Sequence, residues 1–391
     1  MNSLFAAGHA QAQDSVSVLI VGAGPAGLSM AKALQNCGIF PDIIEKENSI
    51  RSDGAGIAIP ANGSWALEQL GIDVADTALH ITSMQFTDDQ GEVLVQEKIS
   101  HIHNAGSQFL ALSRDALMQR IVSSLDSSTH IQTGITVTKF SETDDKVCVE
   151  FSNGLSKSYD FVIGCDGIRS SLRLQAHPEE VPVFLGLLVW RTMIDATPDI
   201  TMPTYILGSD KAALLYPMPN NKLYVYGHLF QSAKEMPSSS FSDVFSSFTG
   251  HMQQVVSQIK DQAPSPTYYI HHMEKSHSVR FIPDGFSRVL LVGDAAHAFG
   301  PMLQNGAAQA FEDAYVIQDL FAKGVTKAQI PGYITAFTKR RQERVEHIFT
   351  QSNAKIQSLS NPQQIQGRNE AIRKLGAPNV TGFKQFMKAN P

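Results

Sequence analysis

Val18-Leu19-Ile20-Val21-Gly22-Ala23-Gly24-Pro25-Ala26-Gly27 is the stretch whose reading decides the fold. From Val16 to Val21 the residues are mostly β-branched or aliphatic, the pattern of a buried strand. A helical run from about Pro25 to Asn36 follows, and Gly38 ends it as a C-terminal glycine should. Asp42–Glu45 is a second short strand, so the chain opens with a βαβ unit. Gly22, Gly24 and Gly27 stand at the G-x-G-x-x-G spacing. The first allows a tight turn, the second lets backbone approach a pyrophosphate, and the third lets helix and strand pack closely. The helix N-terminus offers free N–H groups and the positive end of its dipole to phosphates. Glu45, 18 residues after Gly27, is placed to accept hydrogen bonds from adenosine ribose hydroxyls. The same carboxylate repels a 2′-phosphate, so NADPH is not expected in this cleft. Alone, the glycines could mark a plain turn in an α/β protein; the flanking strand and helix and the following acid argue for the dinucleotide reading.

Working outward, 391 residues suit two domains or one large one, and 43% hydrophobic residues suffice for a substantial core. Thirty-one Lys and Arg against 37 Asp and Glu leave a net charge of −6, which argues against nucleic acid as the main partner. Cys37, Cys148 and Cys165 are too few and too scattered for a disulfide framework or a zinc site, and they fit a reducing, cytoplasmic setting. No apolar run reaches the roughly 18 residues of a membrane span. Met1 to Asp14 has no Lys or Arg and no proper apolar core, and reads as an N-terminal extension rather than a signal peptide.

Further along, Met84-Gln85-Phe86 and Val93-Leu94-Val95 flank the turn Asp88-Asp89-Gln90-Gly91, a hairpin signal. Arg114 to Leu125 reads as a helix. Residues 181–279 are rich in candidate strands around a helix-like stretch, Phe241 to Ile259. Arg288 to Val292 is again a buried strand, followed by helices. The expected organisation is an α/β dinucleotide-binding domain built from 15–80, 105–180 and 280–345. A β-rich substrate domain from 81–104 and 181–279 interrupts it, and a helical segment, 346–391, ends the chain.

Two more motifs sit at strand ends, where α/β sheets bind ligands. Cys165-Asp166-Gly167 follows Phe161-Val162-Ile163, with Ser170 and Arg173 beyond it. Gly293-Asp294-Ala295-Ala296-His297 follows Val289–Val292 and leads to Pro301. Three such turns imply a long ligand crossing the sheet. With them the sequence resembles the group A flavoprotein monooxygenases, the family of para-hydroxybenzoate hydroxylase, salicylate hydroxylase and 6-hydroxynicotinate 3-monooxygenase, over roughly residues 15–350. The resemblance implies a Rossmann-like FAD-binding domain of the GR2/PHBH type with an inserted β-sheet substrate domain. It implies FAD, NADPH or NADH as co-substrate, and O2. The implied reaction is hydroxylation of an electron-rich aromatic or heteroaromatic small molecule through a flavin C4a-hydroperoxide, without a metal.

The resemblance also assigns residues. Gly22, Gly24, Ala26, Gly27 and Glu45 would hold the ADP half of FAD, and Arg114 would reach its phosphates. Asp166 and Gly167 belong to a motif tied to both FAD and NADPH. Asp294 would bind the ribityl or pyrophosphate side. Arg51 resembles an arginine loop near the isoalloxazine. Pro301, with Gly306 after it, would lie against the flavin at a helix N-terminus; Arg51 and Pro301 are the nearest to catalytic candidates. Candidates for the substrate wall are Arg191, Tyr216, Tyr226, His228 and Met302, with sheet packing as the plainer role of the aromatics.

One stretch departs from the family pattern. Gln304 and Asn305 stand where relatives carry a small residue and Gln, which sets a bulky amide where backbone usually closes on the flavin. Lys339-Arg340-Arg341 with Arg344 reads as a solvated helix stripe paired with Glu343 and Glu346, or else as a dock for NADPH phosphate. Arg368 to Leu375 is a possible amphipathic helix, either capping the substrate entrance or packing elsewhere. Competing functions are modification of a larger polycyclic compound, of tetracycline or polyketide type, and flavin binding without turnover. Monomer and homodimer both remain open.

Overall fold

A computed structural model describes residues 16–50, 55–99, 108–236, 239–261, 268–360, 367–377 and 391. Its first sheet is parallel, in the order Val289–Leu291, Phe161–Gly164, Val18–Val21, Asp42–Glu45, Ile131–Thr133. Three of these strands are apolar at every position or nearly so, because a parallel sheet is covered on both faces. Pro25–Asn36 forms a helix against Gly306–Phe321, and both bury their apolar sides in the core of this sheet. A three-stranded antiparallel meander, Val137–Glu142, Val147–Phe151 and Ser156–Tyr159, joins the same core.

The second sheet has seven strands. Their order is Tyr269–Lys275, Val183–Asp195, Lys222–Phe230, Lys211–Met218, Thr204–Leu207, Ser83–Asp88, Val93–Lys98. Neighbours are antiparallel except Thr204–Leu207 beside Ser83–Asp88, so the early hairpin extends a sheet otherwise made a hundred residues later. Side chains alternate between its faces. Leu188, Trp190, Leu215 and Val225 pack outward against the helices Phe241–Val244 and His251–Asp261. Leu187, Val189, Tyr216, Tyr224 and Tyr226 face Leu303 and Ile372 on the other side. The adjacent pair Trp190-Arg191 is therefore split, with Trp190 buried against Phe241 and Phe245. The single helical stretch expected over Phe241 to Ile259 is two helices. Gly250, at φ 60°, turns the chain between them and lies against the backbone of Gly91.

A long helix, Ile330–Ser360, and the helix Arg368–Leu375 follow. The latter rests on Val93–Lys98, where Arg373 pairs with Glu92 at 2.9 Å and the Ala377 amide donates to Glu97.

Arg173 ties two of the strand-end turns together. From the short helix Ser171–Ala176 it donates to the carbonyls of Ala296 at 2.9 Å and Ser278 at 2.8 Å, and pairs with Glu180 at 2.7 Å. Burial alone would raise the Glu180 carboxyl, but Arg280 and Arg173 override it and hold it at about 2, against an ordinary 4.5. A depressed carboxylate contributes stability above its unfolded pKa and loses it as pH falls toward the folded value. Glu180 is thus expected to add about 2–3 kcal/mol at neutral pH, lost between roughly pH 4.5 and 2. Urea titrations of wild type and Glu180→Gln at pH 7 and pH 3 check this. The gap between the two proteins should shrink at the lower pH, and a constant gap would contradict the assignment.

Candidate cofactor and substrate site

The C-terminal ends of Val18–Val21, Asp42–Glu45, Phe161–Gly164 and Val289–Leu291 open into one cavity of about 1140 Å³, whose far wall is the inner face of the seven-stranded sheet. Single small-molecule pockets usually hold about 300–1,000 Å³. This one is larger than that range.

The glycines of the first turn are of two kinds. Gly22 takes φ 104°, and a Cβ there would lie 2.5 Å from the Cys165 carbonyl oxygen; a Cβ on Gly27 would lie 1.9 Å from the Gly22 oxygen. Both are demanded by the protein's own packing. A Cβ on Gly24 or Gly306 would meet nothing within 4 Å, and both residues line the cavity. Their bare backbone serves whatever enters. Ala26 also lines the cavity and packs against Gly293. Pro25 stands at the first turn of its helix, and no side chain caps that helix.

Polar groups surround this cradle. The Glu45 carboxylate accepts from the Ala23 amide at 2.8 Å and the Glu47 amide at 3.0 Å, which fixes it at the strand end. Arg114 opens a helix whose N-cap is Ser113 and lines the cavity. Asp166 accepts from the Ser171 amide at 2.6 Å and hydroxyl at 2.9 Å through one oxygen; the other is buried with no partner among the described residues. Gly167 turns beside it at φ 78°. Burial raises the Asp166 carboxyl despite these bonds. Asp294 opens onto the cavity but is otherwise ringed by protein. Loss of bulk water raises its pKa, against the pull of His297, Arg114 and Arg191. Bare backbone at Gly24 and Gly306, the orphaned Asp166 oxygen and the Arg114 guanidinium fit a bound FAD.

The loop after Asp294 differs from expectation. Pro301–Leu303 is a 3-10 turn, and the α-helix starts only at Gly306, with Asn305 as its cap. Gln304 between them is left-handed, at φ 54° and ψ 28°. Its amide does not simply crowd the flavin side. The amide nitrogen donates to the Tyr205 hydroxyl at 2.8 Å and its oxygen accepts from Tyr216 at 2.9 Å, while the two hydroxyls lie 3.2 Å apart. This closed triangle ties the loop to the substrate sheet. Tyr205 was missed by sequence reasoning, since nothing marks it within its four-residue strand.

Below the loop runs a buried polar network. Asn62 donates to Asn305 at 2.9 Å and to Glu312 at 2.7 Å. Arg341 pairs with Glu312 at 2.6 Å and Asp313 at 2.8 Å, and Arg344 pairs with Glu312 at 2.7 Å. Asp313 also accepts from the Gly293 amide at 2.9 Å and lies 2.8 Å from His297. For Arg341 and Arg344 both readings of the basic run are corrected here. Arg341 is 0% exposed and Arg344 8%, so neither lies on a solvated face nor is available to phosphate. Lys339 is exposed and Arg340 part-exposed, as a solvated stripe requires, but Arg340 pairs with Asp319 and not with the expected Glu343 or Glu346. Helical periodicity turns Arg341, Arg344, Val345 and Ile348 to one buried side, and charge alone hid this.

On the substrate side, Arg191, Tyr216, Tyr226, His228 and Met302 all line the cavity, as do Tyr224 and His271, which were not foreseen. Burial pushes His228 down to about 4, and burial with Arg191 does the same to His271. Pro301 lines it too; Arg51 lies outside the described residues. Arg368 and Ile372 of the terminal helix close one end, Arg368 donating to the Gly208 carbonyl at 2.9 Å. Among the described residues no group of side chains could hold a metal, and no helix is long and apolar enough to cross a membrane.

Comparison with known proteins agrees with this geometry. The chain is 28% identical over 380 residues to 2-heptyl-3-hydroxy-4(1H)-quinolone synthase of Pseudomonas aeruginosa, covering 94% of this chain and 95% of that one. It is 27% identical over 312 residues to 3-amino-4-hydroxybenzoate 2-monooxygenase of Streptomyces cremeus, covering 76% of each. The crystal structure of Klebsiella pneumoniae HpxO complexed with FAD and uric acid superposes with a TM-score of 0.86 at 23% identity, covering 96% of this chain and 97% of that one. The FAD binding domain family matches residues 15–352, and the chain accordingly belongs to that family, as a group A flavoprotein monooxygenase.

Proposed function

We propose that the protein uses NADPH or NADH and O2 to hydroxylate an electron-rich, nitrogen-containing aromatic small molecule in the cytoplasm. The observation that carries this reading is the continuity of the Gly24–Gly306 cradle with a chamber walled by Tyr216, Tyr224 and Tyr226. Similarity over 94% of the chain to an enzyme named for a hydroxyquinolone supports a heteroaromatic substrate. Bound FAD supplies electron transfer and oxygen activation. The chain supplies placement. In this reading Gly22, Gly24, Ala26, Gly27 and Glu45 hold the ADP half; Arg114, Asp166, Gly167 and Asp294 hold the remainder. Pro301 and Gly306 flank the flavin, where the N-terminus of Gly306–Phe321, whose cap residue Asn305 makes no side-chain capping bond, favours negative charge. Arg191, Tyr216, Tyr226, His228 and Met302 orient the substrate, and the aromatic walls keep water from it. A larger polycyclic substrate is the second reading, favoured by the extension of the cavity to Ile372.

Anaerobic mixing of the FAD-loaded protein with NADPH or NADH, alone and with quinolones, aminohydroxybenzoates, urate and tetracycline, tests the proposal. The expected result is flavin bleaching accelerated at least ~10-fold by one ligand class. No bleaching with any nucleotide and ligand would defeat it.

A further inference from the structure

On the sheet side of the cavity, two clusters of polar side chains differ in how far they satisfy themselves. Gln304, Tyr205 and Tyr216 satisfy one another. On the neighbouring strands, the Arg191 Nε, the Tyr226 hydroxyl and both ring nitrogens of His228 are buried with no hydrogen-bond partner among the described residues. These three side chains are neighbours. Arg191 and Tyr226 are directly opposite in the antiparallel pair of Val183–Asp195 and Lys222–Phe230. His228 lies two positions on, on the Tyr226 face, with ring centroids 5.7 Å apart. His228 is 4% exposed and lines the cavity. Buried polar groups without partners are costly, and natural proteins rarely gather several in one place without a use.

The donor and acceptor types say what would satisfy them. Arg191 only donates, a tyrosine hydroxyl does either, and a neutral imidazole offers one donor and one acceptor. Burial keeps His228 uncharged at neutral pH, so its acceptor nitrogen persists. An apolar ligand would leave all four atoms unmet. A ligand with acceptors alone would suit Arg191 and Tyr226 but leave the His228 acceptor without a hydrogen. A ligand with a carbonyl beside an N–H meets three of the four at once: the Arg191 Nε, the Tyr226 hydroxyl and the His228 acceptor nitrogen. The apolar remainder of such a ligand has Phe86, Leu207 and Ile372 along the other half of the cavity.

Resting on the hydroxylase reading above, we propose that Arg191, Tyr226 and His228 form a subsite for a lactam-type edge, a ring N–H beside a C=O, and that His228 determines the preference for it. Arg191 and Tyr226 donate to the carbonyl oxygen, and the His228 acceptor nitrogen takes the ring N–H. No bond is made or broken in this step.

The test is binding to the oxidised, FAD-loaded protein, read from the flavin absorbance change, with no turnover involved. The probes are 2(1H)-quinolinone, its N-methyl derivative, 2-methoxyquinoline and 2-naphthol. The parent lactam should bind at least ~10-fold tighter than each of the others, since sites built on hydrogen bonds reject analogues that leave them unpaired. His228→Leu should level the four affinities at unchanged flavin content, and His228→Asn, which keeps a donor and an acceptor, should retain part of the preference. Equal affinities in wild type, absence of lactam binding, or a preference that survives His228→Leu would each overturn the subsite. If His228→Leu fails to take up FAD, the wild-type series and His228→Asn decide. A phenol that accelerates bleaching where no lactam binds would sink the subsite and leave the hydroxylase reading standing. A His228-dependent lactam preference in a protein that no nucleotide bleaches would do the reverse.

Discussion

Arg341→Met is expected to destabilise the protein by about 3–5 kcal/mol, a large share of a domain's usual margin. The guanidinium is fully enclosed and bonds to Glu312, Asp313 and the Gln309 side chain. Burial raises the Glu312 and Asp313 carboxyls, but Arg341 and its neighbours override this and hold both below the usual range. Methionine matches the stem of the arginine and removes the cation that bonds to both buried carboxylates. The damage should reach the cofactor, because Asp313 also holds the Gly293 amide ahead of Asp294. Arg340→Met is the control. Its partner Asp319 is half exposed, so its loss should cost less than about 1 kcal/mol. Urea unfolding of both variants, with retained flavin measured alongside, checks the pair. Equal destabilisation would mean that the buried network is not what holds this region.

Gly24→Val should give a folded protein that cannot hold FAD. Gly24 has ordinary extended backbone, at φ −77° and ψ −175°, and open space where a side chain would go. Valine therefore fits the protein and fills the space a pyrophosphate needs. Affinity for FAD is expected to fall at least ~100-fold, about 3 kcal/mol, while the melting temperature stays near that of wild-type apoprotein. Gly27→Ala should behave differently, because its methyl would collide with the Gly22 carbonyl, a backbone atom with nowhere to go. It is expected to unfold rather than merely lose colour. Flavin content and thermal melts of the two purified variants separate these outcomes. A yellow Gly24→Val protein would place the phosphates elsewhere.

The features legible in the sequence share a cause. The helix Pro25–Asn36 has the bounds expected of it, and the turns at Gly22, Asp166 and Asp294 all open into one cavity, because glycine spacing and strand-end acids are local signals. The pairing of the 83–98 hairpin with Thr204–Leu207 rests on a contact across more than a hundred residues that no local pattern encodes. Arg341 and Arg344 misled for the opposite reason. Their charge suggested water or phosphate, while the acids that neutralise them, Glu312 and Asp313, sit a helix away. Gln304 was conspicuous, but its bonds to Tyr205 and Tyr216 of the seven-stranded sheet cross from a loop to a distant strand pair and could not be named in advance.

The order of strands in the parallel sheet bears on how the protein comes into being. Val18–Val21 leaves the ribosome first and pairs with Phe161–Gly164, which pairs in turn with Val289–Leu291. The glycine cradle cannot settle until that last strand and Arg341 have been synthesised, more than 250 residues after the first strand. Until then the Phe161–Gly164 edge of the sheet waits without its neighbour, at the slow and aggregation-exposed end of folding behaviour. A nascent chain stalled before residue 289 should therefore be a client for chaperones. Free FAD in the medium should raise the yield of native protein only when it is present as the final third of the chain emerges.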